Sequence, residues 1–488
     1  MKRFLLLGLC LTSTFCTFAQ IKNPGFELYP DQSIAPQDWY VKAVDGFVVG
    51  VDVEVAHSGK SSLKIEGKTD LPTSVFNPFS QQIDINVPVY KKVNITLYIK
   101  TKDVSQTAAI YCQVNDGKGR RLAFQNSEMQ HLIIKGTTNW QKYSLAMPLY
   151  TDAKKLTVGA YLTAGGTAWF DDMAIEDVPT PDTPPTPEVK KFIDEFTTII
   201  KKNAIYADSL DWKKIDANIE AMSRGTSTVP DAQFILNYVI DQLHAAGDNH
   251  SFLQDKVAAR NYASGNTPRP QPQYKLMPGD IGYILVPSFG STSDTACINF
   301  ATKIQNYIRD LDTQNNIKGW IVDMRTNGGG NMWPMIAGLG PLIGNGTLGY
   351  FIARGKNGDT EQPWFYRDGV SGQNGYNSVK IPPYRIKDST LKIAVLVGPR
   401  TASSGEMTSI TFAGKSNAKL IGQLTAGYTT ANRGFPLSTG AMLYLATGYV
   451  ANRNHKKYFG KMSPDILVEP SQNDDAINKA AMDWLIGK

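Results

Sequence analysis

Apolar and polar residues alternate in short runs through the first part of the chain. The runs 93–100, 108–114 and 156–162 alternate with a period of two, lie between polar turns and show little helical periodicity. Successive side chains of a β-strand point to opposite faces of a sheet, so this pattern is typical of strands with one buried face. It predicts an all-β sandwich over residues 20–176.

The pattern changes after a segment that is rich in proline. Residues 177–188 read Asp-Val-Pro-Thr-Pro-Asp-Thr-Pro-Pro-Thr-Pro-Glu. Because proline removes a backbone donor and favours extended chain, we predict a semi-stiff linker and a domain boundary here. Apolar residues then recur at helical spacing in 189–206 and 231–244, which predicts a helical subdomain over 189–260. Strand and helix patterns alternate further along, which predicts an α/β domain over 274–488.

The N-terminus has the pattern of a secretion signal. Lys2 and Arg3 precede an apolar stretch that is too short to span a membrane, and the small residues Thr17 and Ala19 mark a cleavage site. We therefore predict a signal peptide over 1–19 and a secreted, periplasmic or cell-envelope location. No other apolar run is long enough for a membrane span, and a formal net charge of +6 without long basic runs gives no indication of nucleic-acid binding.

Two strand-like segments in the second half of the chain end in turns made of small residues. Residues 393–397 are apolar and lead into Gly-Pro-Arg-Thr-Ala-Ser-Ser-Gly-Glu, and residues 319–323 lead into the three glycines 328–330. A turn of this kind exposes a serine hydroxyl and directs the free N–H groups of the following helix to the same place. Glycine lets the backbone approach a ligand closely. The pattern favours a serine nucleophile beside backbone donors that can bind an oxyanion.

The two turns together resemble those of the tail-specific, or C-terminal processing, serine peptidases. The resemblance rests on Asp-Met-Arg-Thr-Asn-Gly-Gly-Gly at 323–330 and Ser-Ser-Gly-Glu at 403–406, with a strand at 282–289 before them and Ser-Pro-Asp-Ile at 463–466 after them. It covers the chain beyond the linker and implies a crotonase-like α/β peptidase core.

The resemblance also implies roles for individual residues. Ser403, three positions before Glu406, takes the place of the nucleophile, and the N–H of Ser404 takes the place of one oxyanion donor. The second donor is the N–H of Gly329 or, as the alternative, that of Gly330. An isolated Ser-Ser-Gly-Glu would otherwise be interpreted as an ordinary helix cap.

The general base in many members of this family is a lysine 25 positions after the serine, where this chain has Tyr428. The segment Gly-Asp-Asn-His-Ser-Phe at 247–252 instead resembles the branch related to the tricorn core, which lacks a PDZ domain and uses histidine. His250, with an ordinary pKa near ~6.5, is thus the predicted base. Asp248 and Asp465 are the candidates for the acid that orients it, and a Ser–His dyad without an acid is the other interpretation.

The first part of the chain resembles jelly-roll carbohydrate-binding modules. The resemblance rests on Asn-Pro-Gly-Phe-Glu at 23–27, His-Ser-Gly-Lys-Ser-Ser-Leu at 57–63, Trp-Gln-Lys-Tyr at 140–143 and Trp-Phe-Asp-Asp at 169–172. It implies a surface polysaccharide as ligand and a structural calcium ion held by Glu27 and Asp172. Trp39, Tyr40 or Trp169 could stack on a sugar ring, although packing in the core or at its rim is the interpretation that we favour for them.

These features predict a multidomain, secreted serine peptidase. Ser403 would attack a peptide or protein substrate, His250 would carry the proton, and no metal or cofactor would take part in the reaction. The alternative is a catalytically inactive protein of the same fold that binds a peptide or a glycan. A separation of Ser403 and His250 beyond hydrogen-bond reach would favour that alternative.

Overall fold

The computed structural model describes residues 20–30, 35–179, 181–264, 269–354, 358–373, 376–469 and 474–487. The predicted signal peptide, residues 1–19, lies outside the described residues. Contacts between residues divide the chain into two units. The first comprises Met1–Lys191 and Asp211–Ala245, and the second comprises Phe192–Leu210 and Ala246–Lys488. Among the described residues, no helix has the length and apolar character that crossing a membrane requires.

The first unit is built mainly from β-strands. They are β1 (Tyr40–Val41), β2 (Phe47–Asp52), β3 (Ser62–Gly67), β4 (Phe76–Asp84), β5 (Lys91–Asn115), β6 (Arg121–Asn126), β7 (Ile134–Leu149), β8 (Lys155–Thr163) and β9 (Gly166–Val178). Their pairs are antiparallel, and the order is β1-β4-β8-β5-β9-β3-β2, with β6 and β7 also paired to β5.

The long strand β5 takes part in both layers of a sandwich. Its residues 92–102 pair with β9, whereas its residues 107–115 pair with β8. Side chains from both parts, including Ile95, Leu97 and Ile110, are fully buried. Apolar side chains that alternate with polar ones along paired strands form the core of such a fold. The predicted all-β sandwich is thus confirmed.

Two helices that come after the proline-rich segment belong to the first unit. Helix α1 (Pro187–Asn203) begins in the first unit and ends in the second, and α2 (Trp212–Ser223) and α3 (Gln233–Ala245) follow it. Tyr238 of α3 packs on Tyr150, which follows β7, with ring centroids 4.2 Å apart. Lys214 of α2 pairs with Asp152 at 3.1 Å. Because Tyr238 and Tyr150 are fully buried, this contact holds α3 on the sandwich.

The proline-rich segment is hydrogen-bonded to the turn between these two helices. The N–H of Gly225 donates to the carbonyl of Thr183 at 2.8 Å, and the N–H of Thr186 donates to the carbonyl of Thr226 at 3.2 Å. The boundaries between the two units lie within the helical region, after residues 191, 210 and 245, and not in the proline-rich segment. The domain bounds predicted from the sequence stay predictions.

The second unit contains two sheets and five further helices in its described residues. Its strands are β10 (Phe252–Gln254), β11 (Gln273–Met277), β12 (Ile281–Leu285), β13 (Gly319–Asp323), β14 (Gly346–Ala353), β15 (Thr360–Arg367), β16 (Val370–Gln373), β17 (Tyr376–Lys380), β18 (Ile393–Val397), β19 (Ala418–Gly422), β20 (Thr430–Pro436), β21 (Met442–Asn452), β22 (Lys457–Tyr458) and β23 (Ile466–Leu467). Its helices are α4 (Lys256–Ser264), α5 (Asp294–Gln314), α6 (Met332–Ile343), α7 (Ser404–Ile410) and α8 (Asp474–Ile486).

A mainly parallel sheet forms the α/β core of this unit. Its order is β11-β12-β13-β18-β19-β23, with parallel pairs from β12 to β23 and an antiparallel β11. Helices α5 and α6 cover one face, where Ile304 and Ile336 are buried, and α8 covers the other, where Ala481 is buried. A sheet covered on both faces needs apolar side chains on both sides of each strand, and every residue of β13 and β18 is buried. The predicted α/β core is confirmed.

The second sheet is antiparallel and carries the segments around the candidate base. Its order is β10-β21-β14-β15-β16-β17, with β20 and β22 also paired to β21. Strand β10 starts two residues after His250, and β20 starts at Thr430. Both strands pair with the same part of β21, since Phe252 and Gly434 are each partners of Tyr444. The sheet therefore fixes the loop of His250 relative to β20.

Candidate active site

The two turns of small residues lie at the carboxyl ends of neighbouring parallel strands. Asp323 at the end of β13 pairs with Leu396 near the end of β18, so the chain leaves both strands at the same edge of the sheet. The N–H of Ala402 in the second turn donates to the carbonyl of Asn327 in the first at 2.9 Å. The two turns are thus in direct contact and can share one pocket.

Gly329 lies against the candidate nucleophile. A Cβ atom added to Gly329 would lie 2.9 Å from the Cβ of Ser403 and 3.0 Å from the carbonyl oxygen of Ala402. The φ of Gly329, +109°, also belongs to the region that favours glycine. Glycine is therefore the residue that allows the backbone of the first turn to come this close to Ser403.

Ser403 has the backbone geometry of a sharp turn between strand and helix. Its φ is 51°, which is uncommon for a residue with a side chain, and it directly precedes α7. Such positions concentrate at functional sites, where surrounding contacts hold them. One such contact is the N–H of Ser403, which donates to Oε2 of Glu406 at 2.9 Å.

The imidazole of His250 lies between two hydroxyl groups. Its Nε2 is 2.8 Å from Oγ of Ser403, and its Nδ1 is 2.8 Å from Oγ1 of Thr430. When Nδ1 carries the hydrogen and donates to Thr430, Nε2 can accept the hydroxyl hydrogen of Ser403. The structure therefore brings the two residues singled out by the sequence into hydrogen-bond contact.

Burial lowers the pKa of His250 to about 4, and the nearby charge of Asp248 opposes this shift. Only 7% of His250 is exposed, and taking an imidazole out of water disfavours its charged form. At neutral pH the ring is therefore uncharged, which is the form that can take a proton from a serine.

Neither carboxylate considered as the acid partner contacts the ring of His250. Oδ1 of Asp248 accepts hydrogen bonds from the backbone N–H groups of His250 at 2.9 Å and of Ser251 at 2.8 Å. Oδ2 of Asp465 accepts a hydrogen bond from the N–H of Leu420 at 2.8 Å. A short acidic side chain often bonds to N–H groups close to it in the chain, as Asp248 does. Neither Asp248 nor Asp465 therefore lies on Nδ1 of His250, and the acid that orients His250 stays a prediction.

The hydroxyl group of Thr430 takes the position where the sequence predicts an acid. No motif marks this residue, because threonine is common in strands and Thr430 is 180 positions from His250 in the chain. The only feature of the sequence that could have indicated Thr430 is its position two residues after Tyr428, where many members of the resembled family have their lysine base. The arrangement corresponds to the Ser–His dyad that the sequence leaves open, with a neutral hydroxyl group on the far side of the imidazole.

The N–H groups beside the nucleophile differ in whether they are already occupied. The N–H of Gly329 donates to Oδ1 of Asn327 at 3.0 Å. In the described part of the chain, the N–H groups of Gly330 and Ser404 have no acceptor. An oxyanion needs donors that are available to it. Of the two glycines that the sequence leaves open, Gly330 is the one whose N–H is unoccupied, and the identity of the second oxyanion donor stays a prediction.

Glu406 is fully buried, and its carboxylate accepts four hydrogen bonds. Oε2 accepts the N–H groups of Ser403 at 2.9 Å and of Tyr428 at 2.8 Å. Oε1 accepts the N–H of Gly427 at 2.9 Å and the hydroxyl of Thr425. Burial raises the pKa of this carboxyl, and the hydrogen bonds oppose the shift. One carboxylate thus joins the nucleophile to the turn that carries Tyr428.

In the first unit, the residues predicted to hold calcium already have protein partners. Oδ2 of Asp172 is 2.7 Å from Nδ1 of His57, and Oδ1 accepts the hydroxyl of Ser58 at 2.9 Å. Oε1 of Glu27 accepts the N–H of Lys60 at 2.8 Å. Calcium needs about six to eight oxygen ligands, and within the described residues no three acidic, histidine or cysteine side chains form a group that could hold a metal ion. These contacts do not favour the calcium site, which stays a prediction.

The aromatic residues considered for sugar stacking differ in exposure. Trp39 is 5% exposed and packs on Phe26 with ring centroids 5.1 Å apart. Trp169 is 9% exposed, and its Nε1 donates to Asp52 at 2.9 Å. Both tryptophans are therefore part of the packed interior, as favoured above. Tyr40 is 67% exposed and is available to a ligand.

The chain is similar to several known proteins. Residues 280–468 match the family model described as Peptidase family S41, which confirms the resemblance to tail-specific peptidases. A nisin-resistance protein of Lactococcus lactis subsp. lactis is 27% identical over 309 residues, which cover 62% of this chain and 88% of that protein. The solved structure of a lipoprotein from Streptococcus agalactiae is 26% identical, with a TM-score of 0.50 and coverage of 64% of this chain and 97% of that chain. The solved CBM22-1 xylan-binding domain from Paenibacillus barcinonensis is 20% identical, with a TM-score of 0.23 and coverage of 32% of this chain and 91% of that chain. Over residues 280–468 this chain is therefore similar to peptidase family S41.

Proposed function

We propose that the protein is a serine peptidase in which Ser403 is the nucleophile and His250 is the general base. The observation that carries this proposal is the 2.8 Å separation of His250 Nε2 and Ser403 Oγ, which is the contact that activates a serine. The uncharged state of His250 at neutral pH supports it, because only the neutral imidazole can accept the proton. The same contact weighs against the catalytically inactive alternative.

The reaction would begin when Oγ of Ser403 attacks the carbonyl carbon of a peptide bond. The hydroxyl proton passes to Nε2 of His250, and the N–H groups of Ser404 and Gly330 bind the oxyanion of the tetrahedral intermediate. His250 then gives this proton to the leaving amine, so that an acyl group remains on Ser403. A water molecule, deprotonated by the same imidazole, hydrolyses the acyl group and restores the serine.

The imidazolium that forms during this reaction would have no carboxylate on its Nδ1. Thr430 fixes the ring through Nδ1, and the charge of Asp248, which raises the pKa of His250, favours the imidazolium without touching the ring. A neutral partner stabilises a charged ring less than a carboxylate does. We therefore expect a slower enzyme than a peptidase with a complete Ser-His-Asp triad.

Labelling with a fluorophosphonate tests the nucleophile. Oγ of Ser403 should bond to phosphorus while fluoride leaves and the hydroxyl proton passes to His250, and peptide mapping should find the adduct on Ser403. Ser403→Ala should lower the labelling rate by at least about a thousandfold. Ser404→Ala keeps the backbone N–H and should keep the adduct on Ser403, and any decrease in rate measures the hydrogen bond from Oγ of Ser404 to the carbonyl of Gly330 at 2.6 Å. An adduct on another residue, or undiminished labelling of Ser403→Ala, would contradict the proposal.

We also propose that the protein acts on peptides in the secreted or cell-envelope space. Residues 1–19 have the pattern of a signal peptide, and the two relatives are named a nisin-resistance protein and a lipoprotein. Those names concern the relatives, but they make nisin a useful first substrate for this chain. Mass spectrometry of nisin after incubation, with Ser403→Ala as control, measures whether it is cleaved.

A second candidate function, the binding of a polysaccharide, is favoured by one face of the sandwich. Five cross-strand partners form a row over β1, β4, β8, β5 and β6: Tyr40, Ser80, Gly159, Tyr111 and Asn126. Paired residues of neighbouring strands point to the same face of a sheet. A Cβ added to Gly159 would lie 2.8 Å from a ring carbon of Tyr111, so this ring lies over the glycine. Aromatic faces with hydroxyl and amide neighbours suit the stacking of sugar rings.

Retention on insoluble xylan and cellulose tests this second candidate. The double substitution Tyr40→Ala and Tyr111→Ala should lower the retained fraction by at least about tenfold, because the two rings supply the stacking surface. Tyr376→Ala removes a ring that is 63% exposed in the second unit and is the matched control. Equal retention of the wild type and the double variant, or no retention of the wild type, would contradict the proposal.

A further inference from the structure

Tyr428 stands where the resembled family has its lysine, and its ring contacts the candidate base. The ring stacks on the imidazole of His250 with centroids 5.4 Å apart and planes 20° from parallel. Tyr428 is 38% exposed, whereas His250 is 7% exposed. The phenol ring therefore covers one face of the imidazole and is itself partly open to solvent.

The backbone of Tyr428 is fixed independently of its side chain. Its N–H donates to Oε2 of Glu406, which also accepts the N–H of Ser403. The N–H of Gly427 donates to the other oxygen of Glu406 at 2.9 Å. A buried carboxylate thus sets the position of this turn relative to the nucleophile. A substitution that removes only the phenol ring leaves these hydrogen bonds in place.

We propose that Tyr428 is a positioning residue for the general base: its ring holds the imidazole of His250 in the orientation that presents Nε2 to Ser403, and it keeps water from one face. The proposal rests on the proposed function, because it concerns the proton transfer between these two residues. The hydrogen bonds of the imidazole to Ser403 and Thr430 involve its two ring nitrogens, and both act near the plane of the ring. A stacked ring restrains tilting out of that plane.

The pKa of His250 is a specific measure of the role of Tyr428, because it depends on the groups that surround the imidazole. Asp248 lies on the same loop, and the hydroxyl groups of Ser403 and Thr430 lie on the two ring nitrogens. The ring of Tyr428 stacks on the imidazole, and Glu406 is bonded to the backbone of Tyr428. Burial is the main cause of the low pKa of His250. Removing the phenol ring admits water and should raise that pKa towards its ordinary value.

The pH dependence of fluorophosphonate labelling tests the proposal. In the wild type the rate should fall as the pH decreases through about 4, since His250 then becomes charged. Tyr428→Ala should lower the rate at neutral pH by about tenfold, and it should move the midpoint of the acid limb up by about one pH unit. Tyr428→Phe, which keeps the ring, should match the wild type in both respects.

Two results would overturn the proposal. One is a Tyr428→Ala variant with the rate and midpoint of the wild type, and the other is a loss of rate with an unmoved midpoint, as a merely structural role predicts. NMR titration of His250, with its signal assigned by His250→Gln, compares the same pKa without any need for activity. An upward shift in Tyr428→Ala supports the proposal even if Ser403 is not labelled, and that failure of labelling would contradict the proposed function instead.

Discussion

Replacing His250 by alanine should lower kcat/KM for peptide hydrolysis by about 10⁴-fold at neutral pH. The variant loses the group that lies 2.8 Å from Oγ of Ser403 and takes its proton, and a serine is a poor nucleophile without a base. Cleavage of a fluorogenic peptide measures the effect, and circular dichroism checks that the variant remains folded.

His455→Ala provides the matched control for this substitution. His455 is exposed, and its Nδ1 lies 2.9 Å from a carboxylate oxygen of Glu361. Contacts between exposed side chains contribute little, so kcat/KM should stay within about twofold of the wild type. If His250→Ala kept activity within about tenfold of the wild type, another group would be taking the proton and the assignment of the base would be wrong.

Replacing Gly329 by alanine should lower kcat/KM by at least about a hundredfold. The added Cβ would lie 2.9 Å from the Cβ of Ser403 and 3.2 Å from the nitrogen of Ser404, so the nucleophile and its neighbouring donor would have to move. The φ of +109° adds backbone strain of about 1–3 kcal/mol for a residue with a side chain. Thermal unfolding should therefore show a lower midpoint as well.

Gly328→Ala is the control for Gly329→Ala, because it replaces a neighbouring glycine without placing a Cβ against Ser403. The nearest atom to a Cβ added at Gly328 is Oγ of Ser288 at 3.5 Å, which is an ordinary contact, and its φ is outside the positive range. This variant should keep kcat/KM within about threefold of the wild type. Equal losses in Gly328→Ala and Gly329→Ala would mean that close approach to Ser403 is not the cause.

The candidate site could be predicted where its residues follow one another closely in the chain. Ser403 and Glu406 belong to one short motif, and His250 belongs to another. Thr430 could not be predicted, because its contact with His250 depends on the packing of β20 beside the loop that precedes β10. Whether the N–H of Gly329 is already bonded depends on where the side chain of Asn327 points, and residue types alone do not carry that information.

The sequence predicts the strands and helices of the fold, but not which of them pack against one another. Helical spacing of Phe234 and Tyr238 indicates one buried face on α3, and period alone does not say which surface covers it. In the structure, Tyr238 packs on Tyr150, and Nζ of Lys92 lies 5.2 Å from the centroid of the Phe234 ring. An amphipathic pattern predicts which face of a helix is buried. It does not predict which other element packs on that face.

The chain crosses between its two units three times, after residues 191, 210 and 245. Tyr150 of the sandwich and Tyr238 of α3 are both fully buried where they meet. A recombination between genes at the proline-rich segment would separate these two rings and expose them to water, at a cost in solubility as well as stability. The sandwich is therefore a poor candidate for domain shuffling by itself, and a viable transfer to another enzyme would have to carry residues 211–245 with it.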